Sequence, residues 1–236
     1  MFGVGKGAQN GILVKNAEAI EHAGKITHLI TDKTGTLTEG RPEVVDVVTA
    51  EGVPAADLLK IAAAVEAQSE HPLARAVEKR AAADALELPP ITDFESTTGG
   101  GVTAKVEGAL IRIGKPAFLK ESGVEMPDFL VAKTAELQTK ARTVIWIGRD
   151  RKTLGILGIA DPIKKNTPEA IRSLHKMGVK VIMCTGDNAK TAEAVAKELG
   201  IDEFRADVSP QDKHDFVNEL KRQGAKVAMA GDGIND

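Results

Sequence analysis

A carboxylate that follows an apolar segment is the feature of this sequence that most clearly suggests chemistry. Residues 26–31 predict a buried β-strand, and the loop after it reads Asp32-Lys33-Thr34-Gly35-Thr36-Leu37-Thr38. Ligands of open α/β sheets bind just beyond the carboxyl ends of the strands, so Asp32 is placed to attack a phosphoryl group and hold it as an acyl phosphate. An ordinary strand-to-loop turn also favours Asp and Gly, but a string of seven residues this specific argues against that alternative.

The residues near Asp32 have the types that a phosphate group needs. Lys33 can neutralise phosphate charge, while the Thr34 hydroxyl and the amides around Gly35 can donate hydrogen bonds to its oxygens. Lys213 falls in the first turn of a helix predicted to begin at Ser209-Pro210, where the helix dipole disfavours a cation. A nearby phosphate would remove that conflict. The alternative is a solvated surface lysine.

Two further predicted strands end in polar loops. Residues 179–184 precede Thr185-Gly186-Asp187, and residues 226–230 precede Gly231-Asp232. Because the carboxyl ends of parallel strands meet at one edge of a sheet, we expect both loops to lie beside Asp32. Thr185 and Gly186 are candidates for gripping a transferred phosphate, with Asp187 behind them. Asp232 is a candidate Mg²⁺ ligand, since this cation favours one or two carboxylates together with phosphate oxygens.

The pattern of elements predicts an α/β fold built on a doubly wound parallel sheet. Helices with clear start and stop residues separate the late strands: one begins at Thr167, one runs from Asp187 to Leu199, and one runs from Ser209 to about Gly224. Strands that alternate with helices of this length are typical of parallel sheets.

A second domain is predicted inside the first, because the interval from Asp32 to Val179 is far longer than a crossover helix requires. We place this α+β insert at residues 42–152, which leaves residues 1–41 and 153–236 for the first domain. The insert begins with two predicted helices and continues with short strands at 101–107, 109–114 and 143–148. A turn at Arg149-Asp150-Arg151 is expected to lead to the apolar run 154–160, which re-enters the first domain at Asp161.

Composition bounds the class of protein. Of the 236 residues, 42% are hydrophobic and 28% are charged, which is typical of a globular protein. A net charge of −3 gives no reason to expect a nucleic-acid partner, and we expect a monomer. Cys184 is the only cysteine, so no intrachain disulfide is possible, and its apolar neighbours indicate a core residue more than a metal ligand. No apolar stretch approaches the roughly 20 residues that a membrane-spanning helix needs.

The loop from Asp32 to Thr38 resembles the phosphorylation signature of the P-type ATPases, and the chain resembles that family from end to end, most closely the heavy-metal transporters. The resemblance implies a haloacid-dehalogenase-like phosphorylation domain that carries an inserted nucleotide-binding domain. It implies that ATP phosphorylates Asp32, that Lys213 and Thr185 to Asp187 surround the phosphate, and that Asp232 binds Mg²⁺ together with Asp32 and Thr34. Asn235 and Asp236 complete the Gly-Asp-Gly-Ile-Asn-Asp motif and are expected to support the metal site.

The insert carries weaker patterns of its own. In Ser69-Glu70-His71-Pro72-Leu73, His71 fits a loop or helix-capping residue as well as a ligand contact, and Gly99-Gly100-Gly101 fits a hairpin turn as well as a close approach to a ligand. Heavy-metal ATPases have a similar string whose His lies against adenine, a Glu matching Glu66 at the adenine amino edge, and a Gly-x-Gly matching Gly99 and Gly101 that admits the phosphates. The resemblance thus implies ATP binding by Glu66, Glu70, His71, Gly99, Gly101, Gly114 and Lys115. Lys115 stands where the family has Asn and can instead meet phosphate charge.

The sequence therefore favours the ATP-binding and ATP-hydrolysing part of a heavy-metal pump that exports Cu⁺ or Ag⁺, with ATP and Mg²⁺ bound. Its expected partners are the membrane and actuator domains of the same parent protein and the transported ion, and its expected location is the cytoplasmic side of a membrane. A Zn²⁺ or Cd²⁺ pump is the nearest alternative. A free-standing phosphatase of the same fold is disfavoured because Thr34 occupies the position of the usual second Asp, and a non-enzymatic nucleotide-binding module is disfavoured by Asp32, Lys213 and Asp232. Since the chain stops at Asp236, we expect a C-terminally truncated first domain with slow or absent turnover.

Overall fold

The computed structural model describes residues 7–9, 11–14 and 16–233, and the chain packs into two compact units. The first unit comprises Met1–Leu37, Lys164–Asp187 and Ala196–Asp236, and the second comprises Thr38–Ile163 and Asn188–Val195. In chain order the elements are α1 Ala17–Ala23, β1 His28–Asp32, β2 Glu43–Thr49, α2 Ala55–Glu66, α3 Pro72–Ala83, β3 Ile91–Thr97, β4 Gly101–Val106, β5 Ala109–Gly114, α4 Pro116–Glu121, α5 Asp128–Thr139, β6 Thr143–Arg149, β7 Lys152–Ala160, α6 Thr167–Lys176, β8 Lys180–Cys184, α7 Ala189–Leu199, β9 Glu203–Arg205, α8 Pro210–Arg222 and β10 Val227–Ala230.

The first unit contains a parallel sheet, as the alternating pattern predicts, and its strand order is β10-β1-β8-β9. Asp32 pairs with Cys184 of β8, and Thr31 pairs with Ala230 of β10. The loops after these three strands therefore start at the same edge of the sheet. A core of apolar side chains from the sheet and α8 supports that edge and consists of Ile30, Ile182, Cys184, Phe216 and Leu220.

Cys184 lies in this core, which confirms the interpretation of its apolar neighbours. Burial raises the pKa of its thiol to about 11. The thiol therefore stays protonated at neutral pH, whereas metal ligation requires the thiolate.

The second unit contains an antiparallel six-stranded sheet with the order β2-β7-β6-β5-β4-β3. Alternate residues of β6 belong to different cores: Ile145 and Ile147 pack with α2 and α3, whereas Val144 and Trp146 pack with α4 and α5. Since successive side chains of a strand point to opposite faces, helices cover both faces of this sheet.

The prediction that the first domain resumes at residue 153 is wrong. β7 pairs with β6 on one side and with β2 on the other, inside the sheet of the second unit. The apolar run suits a strand of either sheet, and the pairing decides, because Asp150, with a φ of 55°, allows a tight turn that places β7 beside β6. The apolar run of β7 is thereby buried as an interior strand, and the chain returns to the first unit at Lys164.

Candidate phosphoryl and nucleotide sites

Asp32 and Lys213 form an ion pair in the first unit, with 2.8 Å between the carboxylate Oδ1 and the ammonium Nζ. Ser209 caps α8 through a reciprocal capping box with Asp212, which sets the start of the helix and places Lys213 in its first turn. Only 8% of Lys213 is exposed, so the surface-lysine alternative is wrong. The carboxylate offsets the unfavourable effect of the helix dipole on this cation.

Lys33 joins the loop after β1 to the loop after β8. Its ammonium is buried and forms an ion pair with Asp187. Asp187 also accepts a hydrogen bond from the Thr185 hydroxyl at 2.9 Å and donates its amide to the same hydroxyl at 3.2 Å. The contact of Lys33 with a phosphate stays a prediction, as does that of Gly186, where an added methyl would have Val208 O at 3.8 Å as its nearest neighbour.

Asp232 lies directly against the loop that follows Asp32. Gly35 has a φ of 73°, and a methyl group on it would overlap the Asp232 carboxylate. The loop thus requires glycine here both for its backbone conformation and for the approach of this side chain. Thr34, one residue earlier, is in an extended conformation and half-buried.

The two carboxylates fit Mg²⁺ better than they fit a metal held by protein ligands alone. Within the described ranges, no group of three or more His, Cys, Asp or Glu side chains is arranged to hold a metal ion. Mg²⁺ is commonly bound through one or two carboxylates, with phosphate oxygens and waters completing its octahedron. Asp32 and Asp232, at the ends of adjacent strands, match that donor set, while Asn235 and Asp236 lie outside the described residues.

In the second unit, Glu66 and His71 flank a short connection between α2 and α3. Glu66 ends α2 with only 6% of its surface exposed, and burial raises its pKa to about 7. The His71 ring caps α3, because its Nδ1 accepts the Leu73 amide at 3.2 Å. Burial and, next, the nearby charge of Lys115 lower the pKa of His71. The ring is therefore neutral at pH 7, with Nε2 as its N–H donor.

The glycines predicted to admit a ligand lie where β4 and β5 approach each other. Gly101 pairs with Gly114, and a methyl on either one would overlap the backbone of the other strand or of Gly100. Gly99 has a φ of 74° in the turn before β4, so the hairpin interpretation is correct. Lys115 donates its amide to Gly100 O at 3.1 Å.

The described contacts therefore bring most of the predicted nucleotide residues together. Lys115 is close enough to His71 to lower its pKa, and its amide holds the glycine turn. Glu70 is exposed between Ser69 and His71. Sequence reasoning missed Ser69, whose hydroxyl accepts the His71 amide at 3.3 Å, although Ser is a frequent residue in such short connections.

Comparisons with known proteins identify the family to which this chain is similar. The family model for haloacid dehalogenase-like hydrolases matches residues 26–236. A copper-exporting P-type ATPase of Legionella pneumophila is 47% identical over all 236 residues. A zinc-transporting PIB-type ATPase aligns with a TM-score of 0.70 and 37% identity over 99% of this chain and 38% of its own. The catalytic CPx-ATPase domain CopB-B aligns with a TM-score of 0.72 and 30% identity over 98% of this chain and 80% of its own.

The chain belongs to the haloacid dehalogenase-like hydrolases, in the branch formed by the catalytic domains of heavy-metal P-type ATPases. The family resemblance and the fold class predicted from sequence are thereby confirmed. The chain spans 32% of the length of its Legionella relative. None of the helices in the described part of the chain has the length and apolar character needed to cross a bilayer.

Proposed function

We propose that this chain is the ATP-hydrolysing catalytic region of a heavy-metal cation pump and that ATP phosphorylates Asp32. The observation that carries the proposal is the 2.8 Å ion pair between Asp32 and Lys213 at the carboxyl end of a central parallel strand. Lys213 pairs with the carboxylate that would act as nucleophile and supplies positive charge where a phosphoryl group would arrive.

The chemical step is an in-line displacement. An Asp32 oxygen forms a bond to the γ-phosphorus while the bond between that phosphorus and the β–γ bridging oxygen breaks, and ADP leaves with the electron pair. Lys213 is the proposed donor to the equatorial oxygens, joined by the Thr185 hydroxyl when its proton turns from Asp187 to the phosphate. Lys33 and Asp187 hold the two loops together. Mg²⁺ bound by Asp32, Thr34 and Asp232 would neutralise charge on the phosphates.

ATP binding is proposed for the second unit. The adenine amino edge would meet Glu66 and its plane the neutral His71 ring, with the phosphates along Gly99 to Gly101 and Lys115. The convergence of His71, Lys115 and the glycine turn supports this arrangement. A buried carboxyl group with a pKa of about 7 can accept a hydrogen bond from an amino group at little cost in desolvation.

Thr34 disfavours the phosphatase alternative. A phosphatase hydrolyses its acyl phosphate quickly with the help of a carboxylic acid, and a threonine hydroxyl cannot serve as that general acid near neutral pH. A longer-lived aspartyl phosphate is the intermediate that a pump needs in order to couple hydrolysis to conformational change.

The proposed cargo is Cu⁺ or Ag⁺, with Zn²⁺ or Cd²⁺ as the alternative. The copper-exporting relative is 47% identical, whereas the zinc-transporting neighbour is 37% identical. The proposed setting is the cytoplasmic side of a membrane, with the membrane and actuator domains of the same protein as partners and no oligomer required.

Incubation of the full chain with γ-labelled ATP and Mg²⁺ tests the proposal. We expect a labelled protein whose label is released by hydroxylamine, as an acyl phosphate requires. Asp32→Asn should lose the label and keep its affinity for ATP, while Asp215→Asn, at an exposed aspartate of α8, should behave as wild type. Label on another side chain, or equal labelling of Asp32→Asn, would refute the assignment.

A further inference from the structure

The loop that follows Asp32 is held by a segment outside every motif discussed so far. Residues 33–37 are not a regular helix, since Thr34 is extended and Gly35 is left-handed. Their carbonyls must find donors outside the loop. The Gly35 carbonyl accepts a hydrogen bond from the Lys164 ammonium, and the Leu37 carbonyl accepts the Lys164 amide at 3.0 Å and the Thr167 hydroxyl at 2.9 Å.

Lys164 and Thr167, which donate these hydrogen bonds, are themselves held in place at the start of α6. Thr167 begins α6 with 5% of its surface exposed, and its amide donates to Lys164 O at 3.0 Å. Lys164 is half-buried, whereas the adjacent Lys165 is exposed. A hydrogen bond from an ammonium to a carbonyl is stronger than one between neutral groups, so the contact with Lys164 is a strong anchor for Gly35.

The residue that Lys164 anchors is also the one that contacts the second carboxylate. Gly35 leaves no room for a methyl group because the Asp232 carboxylate lies against it. A displacement of Gly35 would therefore open a gap beside Asp232 or push that side chain away. The position of Gly35 thus affects the spacing between Asp32, at one end of the loop, and Asp232.

We propose that Lys164 is a positioning residue for phosphoryl transfer. By holding the Gly35 carbonyl, Lys164 fixes the loop against which Asp232 lies. It thereby maintains the spacing between the two carboxylates that are proposed to bind Mg²⁺. This role rests on the proposed function of Asp32 and Asp232. Lys164 touches neither carboxylate in any contact described above, and it acts through the loop backbone.

The first test measures the loop directly, in the full chain without nucleotide or Mg²⁺. Hydrogen exchange of the amides of residues 33–38 should be about tenfold faster in Lys164→Met than in wild type, because one charge-assisted hydrogen bond is lost. Lys165→Met is the matched control and should leave exchange unchanged. Lys164→Arg should restore most of the protection, since a guanidinium can also donate to the carbonyl. Thr167→Val should show a smaller increase, confined to the end of the loop.

The second test measures Mg²⁺ binding with beryllofluoride, a phosphoryl mimic that carboxylates coordinate, detected by ¹⁹F NMR. The Mg²⁺ concentration for half-saturation should rise about fivefold or more in Lys164→Met, because one hydrogen bond that holds the loop is lost. It should stay unchanged in Lys165→Met. A wild-type chain that binds no beryllofluoride would refute the proposed function of Asp32. The hydrogen-exchange measurement would still test whether Lys164 holds the loop.

Two results would overturn the role of Lys164. One is loop exchange in Lys164→Met equal to that in Lys165→Met. The other is a uniform increase of exchange across β1, β8 and β10, which would show that Lys164 stabilises the whole unit and has no specific effect on the loop.

Discussion

The two candidate sites of this chain handle charge in opposite ways. In the first unit, buried charges are retained in pairs, Asp32 with Lys213 and Lys33 with Asp187. In the second unit, burial drives the groups toward neutrality, since it raises the pKa of Glu66 to about 7 and lowers that of His71. A phosphoryl group needs fixed charges, because its own charge must be compensated. A nucleobase is neutral, and a site for it benefits from groups that cost little to desolvate.

The ion pair between Asp32 and Lys213 in the first unit can be removed by a substitution that leaves the residues of the second unit unchanged. Lys213→Met should reduce phosphorylation of Asp32 at least about 100-fold, because it removes one fixed charge from the transferred group. It should also lower the free energy of unfolding by about 3–5 kcal/mol, since the buried ion pair with Asp32 is lost. Phosphorylation assays and urea denaturation check both effects. Lys221→Met, at an exposed lysine of the same helix, is the control, and a loss of ATP affinity in Lys213→Met would contradict the separation of the two sites.

The glycines of the second unit test whether its site depends on backbone contact. Gly101→Ala should destabilise this unit by about 2–4 kcal/mol, because the new methyl overlaps the Ile113 carbonyl and Gly114. Trp146, the only tryptophan and buried in this unit, allows fluorescence to follow its unfolding. Gly108→Ala is a matched control with a φ of 80° and open space around it, so only its backbone strain of about 1 kcal/mol should appear. Equal effects of the two changes would mean that the close approach of β4 and β5 is unimportant.

Glu66 makes the neutrality of the second site measurable by pH. Its pKa is raised in the folded state, so the folded chain binds a proton that the unfolded chain releases near pH 4.5. Its contribution to stability is therefore complete below about pH 4.5 and is lost as pH rises to about 7, a change of about 3 kcal/mol. Glu66→Gln should remove this part of the slope in Trp146-monitored urea unfolding. An unchanged slope would show that Glu66 is ionised in the folded state.

Substitutions of His71 can separate its role as a helix cap, which affects stability, from its proposed role as a ligand contact, which affects ATP affinity. His71→Asn keeps an N-cap acceptor and should leave stability within about 0.5 kcal/mol of wild type, whereas His71→Ala should cost about 1 kcal/mol. Both variants lack the imidazole ring, so both should weaken ATP binding about tenfold. This corresponds to a loss of about 1.4 kcal/mol in binding free energy. Calorimetric titration with ATP checks the affinity. Wild-type ATP affinity in His71→Asn would show that His71 caps the helix and does not contact the nucleotide.

Some parts of the fold were predictable because their signals are local. The strand before Asp32, the N-cap of α8 and the parallel arrangement of β1, β8 and β10 follow from apolar runs and punctuating residues next to them in the chain. The position of β7 was not predictable in this way. Its apolar run suits a strand of either sheet, and the pairing with β2 and β6 decides between them.

The sequence by itself determined the nucleophile candidate, the fold class and the family, because each depends on residue types at short spacing around Asp32. Only the tertiary structure decided which partners the charged residues take. Lys213 reaches Asp32 across 181 positions, and Lys164 reaches Gly35 across 129. Such pairs leave no local pattern, since the chain must first bury the sheet and its helices before the two ends can meet.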